Sequence, residues 1–334
     1  MPRTKIKQGI QIALSLALAI WIFWLLYRDI EFTNLVAQVR SSKWIWILLS
    51  LVVSLFGYWL RGWRWALLMN FDEGKEVSAS RSYHAVMVGY VVNLLIPRAG
   101  EVARCGVLSR TNGISIGRLL GTVIVERSID LLFLIGIILL AFLVENQLFI
   151  SLAGEMVDLN SLGAKLLNNL PIFLAGVAVF VLLVYYLGRK FRNSGLIQKA
   201  QSFGRQVVFG IKSISDLKNP WGFWGSSILI WVIYFFTMYT VSLAIQSTAN
   251  LTPGEVLLVM VMGTIGMVAP VQGGIGTFHA LVAYILIQFG VSESDGKIFA
   301  AIIHGTQVIL VLIAGFISWL IMVRIPAWIK PDKV

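Results

Sequence analysis

The chain is 334 residues long, 58% hydrophobic and only 13% charged, with 12 tryptophans and a formal net charge of +11. Soluble domains average about 45–50% apolar and about 25% charged residues, so this composition excludes an ordinary soluble protein and points to a membrane. The single cysteine, Cys105, excludes an internal disulfide and a cysteine-rich metal site, and His84, His279 and His304 have no metal-ligand spacing.

A bilayer span takes about 20 mostly apolar residues. Six stretches qualify, at about 10–27, 44–60, 119–144, 170–187, 223–245 and 298–323. No linker or low-complexity tract divides them, so the expectation is one all-α integral membrane domain over residues 1–334. The basic start MPRTKIKQ resembles a signal peptide, but WLLYRDIEF follows the apolar run without a small-residue cleavage site, so it reads as a retained span. With the N-terminus inside and the spans alternating, 21 of the 27 Lys and Arg fall in cytoplasmic segments, 5 fall outside, and Arg127 lies within a span. The positive-inside rule then places both termini in the cytoplasm, at a cell (inner) membrane. It also accounts for the net charge without nucleic acid as a partner. Trp44, Trp63, Trp65, Trp221, Trp319 and Trp328 fall near span ends, as in an interfacial belt.

Two apolar segments are too short to be spans. Ala85–Ile96 ends at Pro97, and Val256–Ala269 ends at Pro270 before resuming as Ile275–Phe289. At about 1.5 Å per residue neither first arm crosses about 30 Å of hydrocarbon. The spacing predicts re-entrant helical hairpins over about 84–108 and 255–289, broken by proline and turned by glycine. The breaks LLIPRAGE and MVAPVQGG share one pattern about half the chain apart, with three spans between them. That odd number makes the hairpins enter from opposite faces, as an inverted repeat. A single proline-kinked span with a chance P-x-x-G match is the plainer alternative.

Charge inside a span is costly, by about 2.5–3.5 kcal/mol per residue on insertion scales. The span from Leu119 carries Glu126, Arg127 and Asp130; Glu126 and Asp130 share a face at i,i+4, and Arg127 and Asp130 stand at i,i+3. The first hairpin would bring Arg98, Glu101 and Arg104 to the same depth. Two guanidiniums beside one carboxylate leave donors for an anion, and arginine suits bidentate phosphate recognition. The alternative is a closed structural network pairing Glu101 with Arg104 and Glu126 with Arg98.

In the second hairpin, Gly273, Gly274 and Gly276 precede a helical arm whose N–H groups face the break, a geometry suited to an anion; close helix packing explains the same glycines. Gln272 would add an amide donor there. His279 and His304 read as hydrogen-bonded interior histidines more readily than as proton carriers. The basic stretch 189–218 has apolar residues at helical spacing and reads as an amphipathic helix on the anionic inner leaflet.

The segments PRAGEVAR (97–104), ERSID (126–130) and PVQGGIG (270–276) resemble the lysylphosphatidylglycerol synthase transmembrane-region family, also called flippase-like domain proteins, over about residues 10–325. The resemblance implies a multi-span fold with re-entrant helices and a lipid path. It singles out Arg98, Glu101, Arg104, Glu126, Arg127 and Asp130 with the Gly273–Gly276 turn. It implies a stand-alone membrane domain, without the synthase domain that attaches lysine to lipid. His279 departs from the glutamate that many relatives carry after the glycine turn. The functional expectation is a lipid transporter that moves an anionic or zwitterionic phospholipid between leaflets by alternating access. Its substrate-binding set is Arg98, Glu101, Arg104, Glu126, Arg127, Asp130, Gln272, Gly273, Gly274, Gly276 and His279, with no cofactor and no metal. The chain has no P-loop, H-E-x-x-H or G-x-S-x-G motif. A membrane enzyme acting on lipid or polyprenyl phosphates, and a non-transporting subunit of a synthase or glycosyltransferase, are the rival readings. A homo-oligomer or a lipid-modifying enzyme partner is compatible with all three.

Overall fold

A computed structural model of the protein describes residues 32–69, 77–96, 98–148, 217–269 and 271–328, with isolated positions at 21, 24, 28 and 214. The expected spans 10–27 and 170–187, the basic stretch 189–218, Pro97 and Pro270 lie wholly or almost wholly outside them. Every regular element among the described residues is helical. In chain order these are α1 (Phe32–Ser41), α2 (Trp44–Met69), α3 (Ala79–Leu95), α4 (Gly100–Asn112), α5 (Ile116–Val144), α6 (Pro220–Ala244), α7 (Pro253–Val268), α8 (Thr277–Gln288) and α9 (Glu293–Arg324).

The helix starts carry the residues that satisfy free N–H groups. Ser78 accepts from Arg81 N at 3.2 Å, Asn219 from Gly222 N at 2.8 Å, and Ser292 from Asp295 N at 3.1 Å. Thr252 and Glu255 close a reciprocal capping box on α7. Pro220 and Pro253 occupy first-turn positions, where a missing N–H costs nothing.

Four helices, α2, α5, α6 and α9, are long and apolar enough to cross a membrane. They match four of the six expected spans, with longer bounds at α2 and α9. On α2 the large apolar side chains Leu48, Val52, Leu55, Phe56 and Trp59 face outward, while Ser50, Ser54, Arg61 and Arg64 are buried. Polar groups inside and apolar groups outside is the arrangement that a lipid solvent imposes.

The two broken segments each form an antiparallel pair of helices. In α3–α4, a Cβ on Gly100 would overlap the carbonyl oxygen of Gly89, so only glycine permits the approach. Asn93 Oδ1 accepts from Gly100 N at 2.7 Å and closes the break. In α7–α8, a Cβ on Gly266 would lie 2.7 Å from Phe278 Cα, and Thr277 Oγ1 donates to the Gly266 carbonyl at 2.8 Å. The helix–break–helix expectation therefore holds on both sides. The breaks also touch one another: the space a Cβ would take at Gly273 is bounded by Leu94, at 3.0 Å.

Three expectations change. The second span does not stop near residue 60; α2 continues to Met69, so Arg61 and Arg64 leave the cytoplasmic tally and become interior residues. That trims the charge asymmetry without reversing it. Trp65 is no interfacial anchor: it is fully buried and donates to Thr122 Oγ1 at 2.9 Å. Lys297, assigned to an outer segment, lies within α9 and pairs with Glu293 at 2.7 Å.

Candidate functional site: a buried arginine–carboxylate cluster

Glu126 and Asp130 stand one turn apart on α5, on the face turned toward α2 and α4. Against them α2 sets Arg61 and Arg64, themselves one turn apart. Arg61 Nη2 reaches Glu126 Oε1 at 3.2 Å and Asp130 Oδ2 at 3.0 Å. Arg64 Nη2 lies 2.7 Å from Asp130 Oδ1 and 3.5 Å from Glu126 Oε1. From α4, Arg104 Nη2 donates to Glu126 Oε2 at 3.1 Å while its guanidinium stacks 4.2 Å above the Trp65 ring. Arg127 closes the ring from α5 itself, 3.1 Å from Glu126 and 3.6 Å from Asp130.

Four guanidiniums thus surround two carboxylates. Glu126 and the Arg64 side chain are fully buried, whereas the Arg127 side chain is 42% exposed. Neighbouring helices hold the arginines in place: Tyr234 OH accepts from Arg61, and Ser227 Oγ from Arg64 at 3.3 Å, both from α6. The Nε atoms of Arg61 and Arg64 are buried and have no acceptor among the described residues.

A polar seam leaves the cluster along α2. Tyr58, one turn from Arg61, donates to Gln307 Oε1 on α9 at 2.8 Å. Gln307 Nε2 donates to Ser54 Oγ at 3.0 Å, and Ser54 meets Thr237 on α6 at 3.2 Å. Ser50, Ser54, Tyr58, Arg61 and Arg64 recur every three or four residues and make one stripe of about 21 Å.

The expected site residues divide. Arg104, Glu126, Arg127 and Asp130 come together as expected. Arg98 does not join them: it is exposed, it sits in the break with φ +61°, and its Nη2 donates to the Val268 carbonyl of the other hairpin at 3.3 Å. Helix α4 begins only at Gly100, so the i,i+3 relation expected of Arg98 and Glu101 never forms. The expected Arg98–Glu126 pair is replaced by Arg104–Glu126. Glu101 is half-buried, with its Oε2 buried and without a hydrogen-bond partner among the described residues.

The Gln272–Gly276 group forms its own turn. Gln272 is buried, and Gly273, Gly274 and Gly276 all have positive φ (56°, 72° and 87°), which suits glycine. His279 is buried against His304, ring centroids 4.8 Å apart. His84 lies elsewhere, its Nδ1 3.0 Å from Ser318 Oγ.

Arg61 and Arg64 are the site residues that sequence reasoning missed. The signal was present in the Ser50–Ser54–Tyr58–Arg61–Arg64 stripe, which keeps helical spacing beyond the point where hydropathy falls.

Neither curated proteins nor solved structures gave a match to the chain. Residues 12–315 match the family described as "Lysylphosphatidylglycerol synthase TM region". Four spanning-length helices, an outward apolar surface and that match over most of the sequence lead to one identification: the chain is a membrane protein of the lysylphosphatidylglycerol synthase transmembrane-region family.

Proposed function

We propose that the protein moves a lipid with a phosphate-bearing anionic or zwitterionic head group between membrane leaflets, by alternating access and without covalent chemistry. The observation that carries this reading is the charge of the buried cluster: four guanidiniums on two carboxylates leave a surplus of two positive charges. An unbalanced surplus inside a membrane protein is costly, and an anionic head group relieves it. Guanidinium forks match phosphate oxygens, and the partly exposed Arg127 side chain gives the cluster an open edge. Acyl chains would stay against the outward apolar faces while the head group follows the polar interior.

In this reading α3–α4 and α7–α8 are re-entrant hairpins of an inverted repeat, entering from opposite faces. Support comes from the lengths of α3 and α7, 17 and 16 residues, or about 25 Å, against a core of about 30 Å. Their touching breaks would then form the gate near the midplane. The charge distribution in the sequence favours an inner membrane with both termini cytoplasmic.

The test uses purified protein in vesicles containing labelled phosphatidylglycerol or phosphatidylethanolamine. The expected result is movement of label between leaflets with lipid mass unchanged, and loss of movement in a folded Arg61→Gln, Arg104→Gln double variant. Wild-type movement in that variant would end the reading. A changed lipid mass would make the protein an enzyme, and movement only with a co-purified lipid-modifying enzyme would make it a subunit.

A further inference from the structure

We propose that Ser54, Tyr58, Tyr90, Thr237 and Gln307 form a second, uncharged subsite beside the arginine cluster, which holds the hydroxyl groups of a head group whose phosphate the guanidiniums hold. This deepens the transport reading and rests on its phosphate-bearing lipid. The ligand class is a phosphodiester lipid with a polyol head group, such as glycerol, inositol or a sugar.

The subsite begins where the cluster ends. Tyr58 stands one turn from Arg61 on α2, and Ser54 one turn further, at rises of about 4.5 Å and about 10 Å. Tyr234 OH accepts from Arg61, and Tyr58 and Tyr90 lie within electrostatic range of the same guanidinium. The Tyr58 and Tyr90 rings meet edge to face with centroids 5.4 Å apart, which brings α3 of the first hairpin into the wall. A phosphate on Arg61 sets the next atoms of its head group against these tyrosines.

Depth and exposure argue for a ligand rather than a closed seam. Tyr58 and Gln307 each stand about 21 Å into α2 and α9, well inside helices of spanning length. Lipid-facing positions at such depth are apolar, as Phe56 and Trp59 are on α2 and Phe236 is on α6. Tyr58, Tyr90, Thr237 and Gln307 are nevertheless only half-buried. Polar side chains inside a membrane face the bundle interior or a water-filled cavity, so these line a space that a polar group can enter. They also keep bonding capacity. Gln307 accepts from Tyr58 and donates to Ser54, which uses one of its two carbonyl lone pairs and one of its two amide N–H groups. Tyr58 donates its proton and keeps its oxygen lone pairs. The Tyr90 hydroxyl has no hydrogen-bond partner among the described residues. Hydroxyls and one amide offer donors and acceptors side by side, the complement of a polyol. None of the five residues is a carboxylate that could receive an ammonium group.

The test is native mass spectrometry of the full chain, titrated with lipids of matched acyl chains. Phosphatidylglycerol and phosphatidylpropanol carry the same phosphate charge and the same number of head-group carbons, and differ only in hydroxyls. The wild type should bind phosphatidylglycerol about tenfold more tightly, as for two hydrogen bonds of modest net worth. Phosphatidylethanolamine should bind no better than phosphatidylpropanol. Tyr90→Phe, which breaks no hydrogen bond among the described residues, should cut the tenfold ratio to about threefold, and Gln307→Leu should bring it near unity. Arg104→Gln should weaken both lipids alike and leave the ratio as it is. A wild-type ratio under about twofold overturns the proposal, as does a ratio that survives both Tyr90→Phe and Gln307→Leu. Phosphatidylethanolamine bound as tightly as phosphatidylglycerol overturns it as well. The transport reading fails separately. Hydroxyl-selective binding without movement of label in vesicles ends transport and leaves the subsite, whereas movement of label without that selectivity ends the subsite and leaves transport.

Discussion

Glu126→Gln removes the carboxylate on which the arginine cluster converges. Glu126 is fully buried and has guanidinium nitrogens of Arg61, Arg64, Arg104 and Arg127 at 3.2, 3.5, 3.1 and 3.1 Å. With Asp130 it balances two of four positive charges; the substitution raises the surplus from two to three. Removing one partner of a buried pair costs about 3–5 kcal/mol, because the other charge stays buried without compensation. Arg127, partly exposed, adds little to that figure. Charge is separated from packing by a double-mutant cycle with Arg104→Gln. In the Glu126→Gln background, Arg104→Gln returns the surplus to two, so it should cost about 1–3 kcal/mol less there than in the wild type. The lost stacking on Trp65 is common to both backgrounds and cancels. Arg98→Gln is the control: exposed, with one backbone hydrogen bond, it should change stability by under about 0.5 kcal/mol. The assay is reversible unfolding in bicelles of the four proteins of the cycle and the control. Additive costs, or a Glu126→Gln protein as stable as the wild type, would refute charge coupling in the cluster. An Arg98→Gln protein as damaged as Glu126→Gln would refute the placement of Arg98 outside it.

Two further predictions concern packing and pH. Gly100→Ala forces a methyl against the Gly89 carbonyl and should cost about 1–3 kcal/mol, whereas Gly106→Ala, on the same helix with nothing within 4 Å, should gain up to about 1 kcal/mol from helix propensity; melting temperatures of the pair give opposite signs if α3 and α4 are packed as described. Glu145, just beyond α5, has its carboxyl pushed up, first by burial and then by the charge of Glu255. A raised folded-state value means that its contribution is fully present below the unfolded carboxylate range and lost as pH rises through the folded value. Glu145→Gln should therefore raise the melting temperature at neutral pH and flatten the wild-type gain on acidification, and an unchanged pH profile would refute the burial of Glu145 beside the charge of Glu255.

The sequence by itself determined the membrane class, four spans whose helices are described, the two helix–break–helix segments and the family. These are properties of apolar run length, proline, glycine and short motifs, which act locally along the chain. It also determined that Glu126 and Asp130 share a face, because that follows from helical periodicity alone. What only the tertiary structure decided is which cations they meet. A span template of about 20 residues ends where hydropathy falls, and hydropathy falls at Arg61 whether that residue emerges into water or turns inward to a carboxylate. The partner that decides the matter is 65 residues away. Arg98 shows the converse. It looked equivalent to Arg104 in sequence, but a left-handed turn at one residue aims it at the Val268 carbonyl of the other hairpin, while Arg104, one turn into a helix, is carried to Glu126. The pairing of His279 with His304 belongs to the same class: 25 residues separate them, and only the packing of α8 on α9 brings Nε2 and Nδ1 within 3.4 Å.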